Sequence, residues 1–137
     1  MMLAAPATIL TAFVTLLAVL ISFAFLVGVG RARGATRIDA PAMSGHPDLE
    51  RALRIQGNTV EQMVMFLPSL WLAALYFQGW LPPVIGLIWC LGRVVYAFVY
   101  GTYKQRFPGF ALTVFPTLIL VVLALIGLVG AWGASAA

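Results

Sequence analysis

Charged side chains are nearly missing from this chain: eight Lys and Arg and four Asp and Glu stand among 137 residues. The stretches 1–30, 62–92 and 107–137 hold none. Soluble domains carry about 25% charged residues; here the figure is 9%, with a mean hydropathy of +1.04. That shortfall excludes a soluble globular protein and leaves an integral membrane protein. Cysteine and histidine are scarcer still, one of each. Cys90 can form no intrachain disulfide, and in its apolar run it reads as inert packing. His46 lies in Ser44-Gly45-His46-Pro47 with no ligand at metal spacing, so no metal site is expected. Internal repeats and low-complexity segments are absent too. The net charge of +4 offers no groove for nucleic acid and speaks instead about topology.

What remains is four apolar runs in a single membrane domain, 1–137. The first span is expected over 5–30, about 26 residues or roughly 39 Å of helix. No basic side chain precedes Ala5, so it reads as a retained span and not as a signal peptide. A loop rich in Gly, Pro and Ala follows over 34–47. Pro47-Asp48-Leu49-Glu50 then starts a second helix, with acids where the helix dipole favours them. That helix should run over 48–77, its first turns in the headgroup region, with a kink at Pro68. Residues 78–83 form a tight uncharged connection, with Trp80 as an interfacial anchor. The third span is expected over 83–103, a turn over 104–109, and the fourth span over 110–132. Pro116 should kink the fourth span, and Gly127, Gly130 and Gly133 should let it pack closely. The fold class is therefore all-α, an up-and-down four-helix bundle. All the exposed Lys and Arg fall in the first and third connections, so both termini should face away from the cytoplasm.

The polar residues are patterned. Arg51, Arg54, Asn58 and Glu61 recur at helical spacing on one stripe, with Gln62 at its edge and Gln56 off it. Arg93, Tyr96, Tyr100 and Tyr103 repeat that spacing on the third span. Polar groups in a span are expensive and usually face a bundle interior or a wet cavity. One reading pairs Glu61 with Arg93 as a buried ion pair that sets helix register, with Asn58 satisfying backbone groups. The other notes that Arg33, Arg51, Arg54, Arg93 and Arg106 outnumber one glutamate. A small anion bearing carboxylates would balance them, since guanidinium and carboxylate pair as forks.

The run Arg54-Ile-Gln-Gly-Asn58-Thr-Val-Glu61 resembles the Arg-x-x-x-Asn-x-x-Glu signature of the MAPEG family, the membrane-associated proteins in eicosanoid and glutathione metabolism. Gly92-Arg93-Val-Val-Tyr96-Ala-Phe-Val-Tyr100 looks like that family's third-helix motif. With the four-span layout, the resemblance covers nearly the whole chain. It implies a homotrimer that binds glutathione as co-substrate in a cleft between subunits, near the cytoplasmic face. By position, Arg54, Gln56, Asn58 and Glu61 would hold the glutathione peptide from the second helix. Arg93, Tyr96 and Tyr100 would contribute from the third, and Arg33 from a neighbour's first helix. Arg106 would stand beside the sulfur as the catalytic residue. Related sequences often place a tyrosine after the glutamate; here it is Gln62.

The function so implied is a glutathione transferase, with peroxidase activity as an extension of the same thiolate chemistry. It would serve detoxification of lipophilic electrophiles drawn from the membrane lipid. Two alternatives belong to other classes: a non-catalytic member that binds lipid, and a structural trimer with a vestigial site.

Overall fold

The structure, a computed structural model, describes residues 5–100 and 103–136, with the side chains of all of these except 103–106. Helix α1 runs Pro6–Thr36, α2 Pro47–Leu72, α3 Leu81–Phe98 and α4 Tyr103–Ser135. Strands are absent among the described residues. All four helices are long and apolar enough to cross a membrane. Their connections are short compared with the helices, which forces sequence neighbours to run antiparallel.

The helix ends differ from the sequence-based expectation, for local reasons. Helix α1 continues past residue 30 because Arg31, Ala32, Arg33 and Ala35 are good helix formers. The basic side chains also suit the C-terminal end of the dipole. It stops at Arg37, which takes the left-handed conformation (φ 55°). Helix α2 begins as expected: His46 Nδ1 accepts from the Asp48 N–H at 3.2 Å, and Pro47 occupies the first turn. Glu50 accepts from the Gly45 N–H at 3.2 Å, tying the preceding turn to the helix.

Pro68 sits inside α2 without ending it. The helix widens into a π-turn over Ala73–Phe77, closed by Gln78 N–H donating to the Ala73 carbonyl at 3.1 Å. Helix α3 ends at Phe98 and not at residue 103. The stretch 104–109, expected as a turn, lies within α4. Pro108 falls in the second turn of α4, where it removes one hydrogen bond near the end of the helix.

The core draws on all four helices. Val14 and Ala18 come from α1, Phe66 and Leu70 from α2, Ile85, Trp89 and Cys90 from α3, and Leu120, Leu123 and Ala124 from α4. At its centre the rings of Phe66 and Trp89 stack with centroids 4.0 Å apart. Helices α3 and α4 make the most extensive contact, and two glycines allow it. A Cβ on Gly92 would stand 2.6 Å from the Leu112 carbonyl oxygen, and one on Gly109 would strike the Tyr96 backbone. Gly127 meets the π-turn at Tyr76 and Phe77 in the same way, whereas Gly130 and Gly133 face open space. Outward faces carry Phe13, Leu20, Phe23, Val64, Leu91, Phe115 and Val129, an apolar belt suited to lipid. Thr11, Thr59, Thr113 and Thr117 are buried, and each hydroxyl donates to a carbonyl one turn earlier, so none of these four hydroxyl protons is left bare in hydrocarbon.

Candidate functional site

The first four turns of α2 carry the site. Because residues three and four apart share a helix face, Glu50, Leu53, Arg54, Gly57, Asn58 and Glu61 form one continuous wall. Met43 and Ser44 of the preceding loop close its side, leaving a groove of about 390 Å³. Ligand pockets commonly hold about 300–1,000 Å³. The groove offers a guanidinium and a carboxamide as donors and two carboxylates as acceptors. Glycine at position 57 keeps its floor low.

The loop that closes the groove is held by Arg33. Its guanidinium donates to the carbonyls of Ile38 at 3.2 Å and Ala42 at 2.8 Å, next to Met43. Arg51 points off the groove and donates to the Ala97 carbonyl of α3 at 3.5 Å.

Behind the groove lies a second, buried group. Arg93 is only 1% exposed, and its Nη2 donates to Thr59 Oγ1 at 2.7 Å. The same guanidinium lies 4.4 Å from the centre of the Tyr96 ring. Tyr96 Oη accepts from Asn58 Nδ2 at 2.6 Å, and Tyr96 meets Tyr100 edge to face at 5.3 Å. The ion pair between Glu61 and Arg93, one of the two readings of the sequence, does not form. Glu61 is exposed on the groove wall, and Arg93 turns to Thr59 instead. Among the described residues, which include all four acids, the acid–base approach is His46 to Asp48 at 3.6 Å, within the cap of α2. Asn58, expected to satisfy backbone groups, bonds the Tyr96 hydroxyl.

The sequence-derived residues therefore divide. Arg54, Asn58 and Glu61 line the groove; Arg93, Tyr96 and Tyr100 stand behind it, joined to it through Asn58. Gln56 is half-buried off the groove. Arg106 belongs to the first turn of α4, and its side chain lies outside the described residues. The sequence reading missed Thr59, Met43 and Ser44. For Thr59 a signal existed, since a threonine inside an apolar helix beside Asn58 needs a partner for its oxygen. Gln62 is half-buried with its Oε1 unpaired.

A family model described as MAPEG family matches residues 11–126. An uncharacterised protein from Synechocystis is 42% identical over 118 residues, which is 85% of this chain and 86% of that protein. Human microsomal glutathione S-transferase 2 is 36% identical over 127 residues, 92% of this chain and 82% of the relative. Bovine leukotriene C4 synthase is 35% identical over 120 residues, 87% of this chain and 80% of the relative.

Proposed function

This chain belongs to the MAPEG family and is a multi-pass integral membrane protein; from that premise and the α2 groove we propose that it is a membrane-bound glutathione transferase. The observation that carries the reading is the meeting of Arg54, Asn58 and Glu61 in one groove. Glutathione presents two carboxylates, an amine and two peptide amides. Arg54 suits a carboxylate, Glu61 the amine, and Asn58 a peptide group. A relative named as a microsomal glutathione S-transferase supports the same substrate.

The chemistry is nucleophilic. A free thiol has a pKa near 8.5, so about a few per cent is thiolate at neutral pH. A guanidinium close to the sulfur stabilises the anion, and poor solvation strengthens that effect. Arg106 takes this role. The thiolate then attacks an electrophilic carbon, forming the C–S bond as the leaving group departs with the bonding electrons. Lipid concentrates the apolar partner at the site, and reduction of a lipid hydroperoxide would use the same thiolate.

The working form is a homotrimer, with Arg33 of one subunit placed near the groove of the next. Both termini lie away from the cytoplasm, and the groove sits near the cytoplasmic face with the basic connections. The test is direct. Calorimetric titration of glutathione into the detergent-purified protein should show saturable binding, and a chloronitroarene should then be conjugated with release of chloride. Binding without conjugation would favour the non-catalytic alternative, and neither would leave a structural trimer.

A further inference from the structure

Arg93 is hard to explain as packing. It is a cation at 1% exposure in a membrane-spanning helix. Every acid of the chain is described, and none pairs with it. A buried charge without a counter-charge is destabilising unless its hydrogen bonds compensate. An unbranched apolar side chain would fill the space without that penalty. Arg93 does not line the groove either, so it gains nothing from direct contact there.

Its contacts lead back to the groove by another route. Thr59 is fully buried; its hydroxyl donates to the Ile55 carbonyl at 2.7 Å and accepts from Arg93 Nη2 at 2.7 Å. With its proton committed to Ile55, the oxygen can only accept from Arg93, which fixes the guanidinium. Tyr96 lies over that guanidinium at 4.4 Å, and its hydroxyl holds the Asn58 carboxamide at 2.6 Å. Asn58 is the chain neighbour of Thr59. The contacts thus leave α2 at Thr59, pass through Arg93 and Tyr96 on α3, and return to α2 at Asn58. The direct contact between α2 and α3 is among the sparser ones in the bundle, so this closed circuit is a principal tie between them at the level of the groove.

We propose that Thr59 and Arg93 are positioning residues for the groove: they orient Tyr96, which fixes the plane of the Asn58 carboxamide in the groove wall. The proposal rests on the glutathione reading above and adds Thr59 to the residues that serve it. Arg93 acts on the groove through Tyr96 and Asn58.

The experiment measures glutathione affinity by calorimetry, KM for each substrate, and thermal stability, all on the full-length protein in detergent. Thr59→Val keeps the shape and deletes the hydroxyl. It should weaken glutathione binding by about tenfold, the size expected for one hydrogen bond to a charged group, while KM for the electrophile holds. Thr59→Ser should restore the affinity. In an Asn58→Ala background, Thr59→Val should weaken binding by less than about twofold, because the two act in series. Tyr96→Phe keeps the ring over Arg93 and removes the hydroxyl that holds Asn58, so it tests the same chain of contacts if Thr59→Val folds poorly. Wild-type affinity in both Thr59→Val and Tyr96→Phe would overturn the proposal, as would losses that multiply independently with Asn58→Ala. If the wild-type protein itself binds no glutathione, the functional reading fails first, and that result is distinct from either.

Discussion

Glu61 stands exposed on the groove wall and pairs with no cation among the described side chains. Breaking a buried ion pair costs about 3–5 kcal/mol, whereas exposed substitutions usually stay within about 0.5 kcal/mol. Glu61→Gln should therefore leave thermal stability close to wild type and weaken glutathione binding by about tenfold or more, the loss expected for one charge-assisted hydrogen bond. A large drop in melting temperature without ligand would show that Glu61 acts as scaffold. Arg106 is a different case, since its proposed work is on the sulfur. A shift of about two units in thiol pKa corresponds to roughly 2.7 kcal/mol. Removing the cation lets the thiol pKa rise again, so less thiolate forms at neutral pH. Arg106→Ala should lower turnover by about one to three orders of magnitude, and raising the pH should restore part of the loss. Glutathione affinity should change much less, and Arg106→Lys should fall between. Thiolate absorbance of bound glutathione checks this directly. An unchanged signal and rate in Arg106→Ala would reduce the residue to a headgroup anchor.

At the scale of the helices, glycine position matters more than glycine count. Gly92 and Gly109 bring the α3 and α4 backbones together, and a new Cβ at either would meet backbone atoms that cannot rotate away. Gly92→Ala or Gly109→Ala should destabilise by about 1–3 kcal/mol or more through overpacking. Gly130→Ala and Gly133→Ala, in open space, should be neutral or slightly stabilising. Thermal unfolding of the four variants in one detergent makes the comparison. The sequence reading had named Gly127, Gly130 and Gly133, and only Gly127 is close-packed. Spacing cannot tell a glycine facing a neighbour from one facing lipid when the whole run is apolar.

The same limit explains the other differences. The number and order of the helices were legible because charge and apolar length change abruptly at Arg31, Asp48 and Gln78. The stripe of Arg54, Asn58 and Glu61 was legible because helical spacing alone puts them on one face, and the groove is that face. Helix ends were not legible at Thr36 and Tyr103, where good helix formers run on past the charge boundary. The choice of Arg93 between Glu61 and Thr59 was not legible either. Thr59 and Glu61 lie on nearly opposite faces of α2, and only the packing of α3 against α2 shows which face meets Arg93.

At the scale of the whole molecule, the exposed face of α2 needs a neighbour. Arg54 and Glu61 are exposed, and Val64 and Met65 continue directly into an apolar surface. A lipid-facing surface would hardly place a carboxylate one turn from such residues, because charge in the hydrocarbon region is costly. A second copy of the chain would cover this face, complete the groove and exclude lipid from it. The expected assembly is three-fold, and native mass spectrometry at low detergent should return trimers. A monomer that still binds glutathione would count against it.

Orientation provides the companion test. Arg31, Arg33 and Arg37 lie at the end of α1, Arg51 and Arg54 in the first turns of α2 and Lys104 and Arg106 in the first turn of α4, while the connection at Gln78–Trp80 carries no basic residue. In a Cys90→Ala background, cysteines placed singly between 34 and 47 should react with an impermeant thiol reagent only from the cytoplasmic side. Those at 78–81 should react only from the other side. Cys90 is buried among apolar side chains, so its loss as a small-to-smaller change should be tolerated at about 1 kcal/mol. Labelling of both sets from one side would refute the four-span topology. Clean labelling of each set from the side opposite to that expected would keep the fold and invert the protein, moving the groove to the outer face and away from the cytosolic glutathione it is proposed to use.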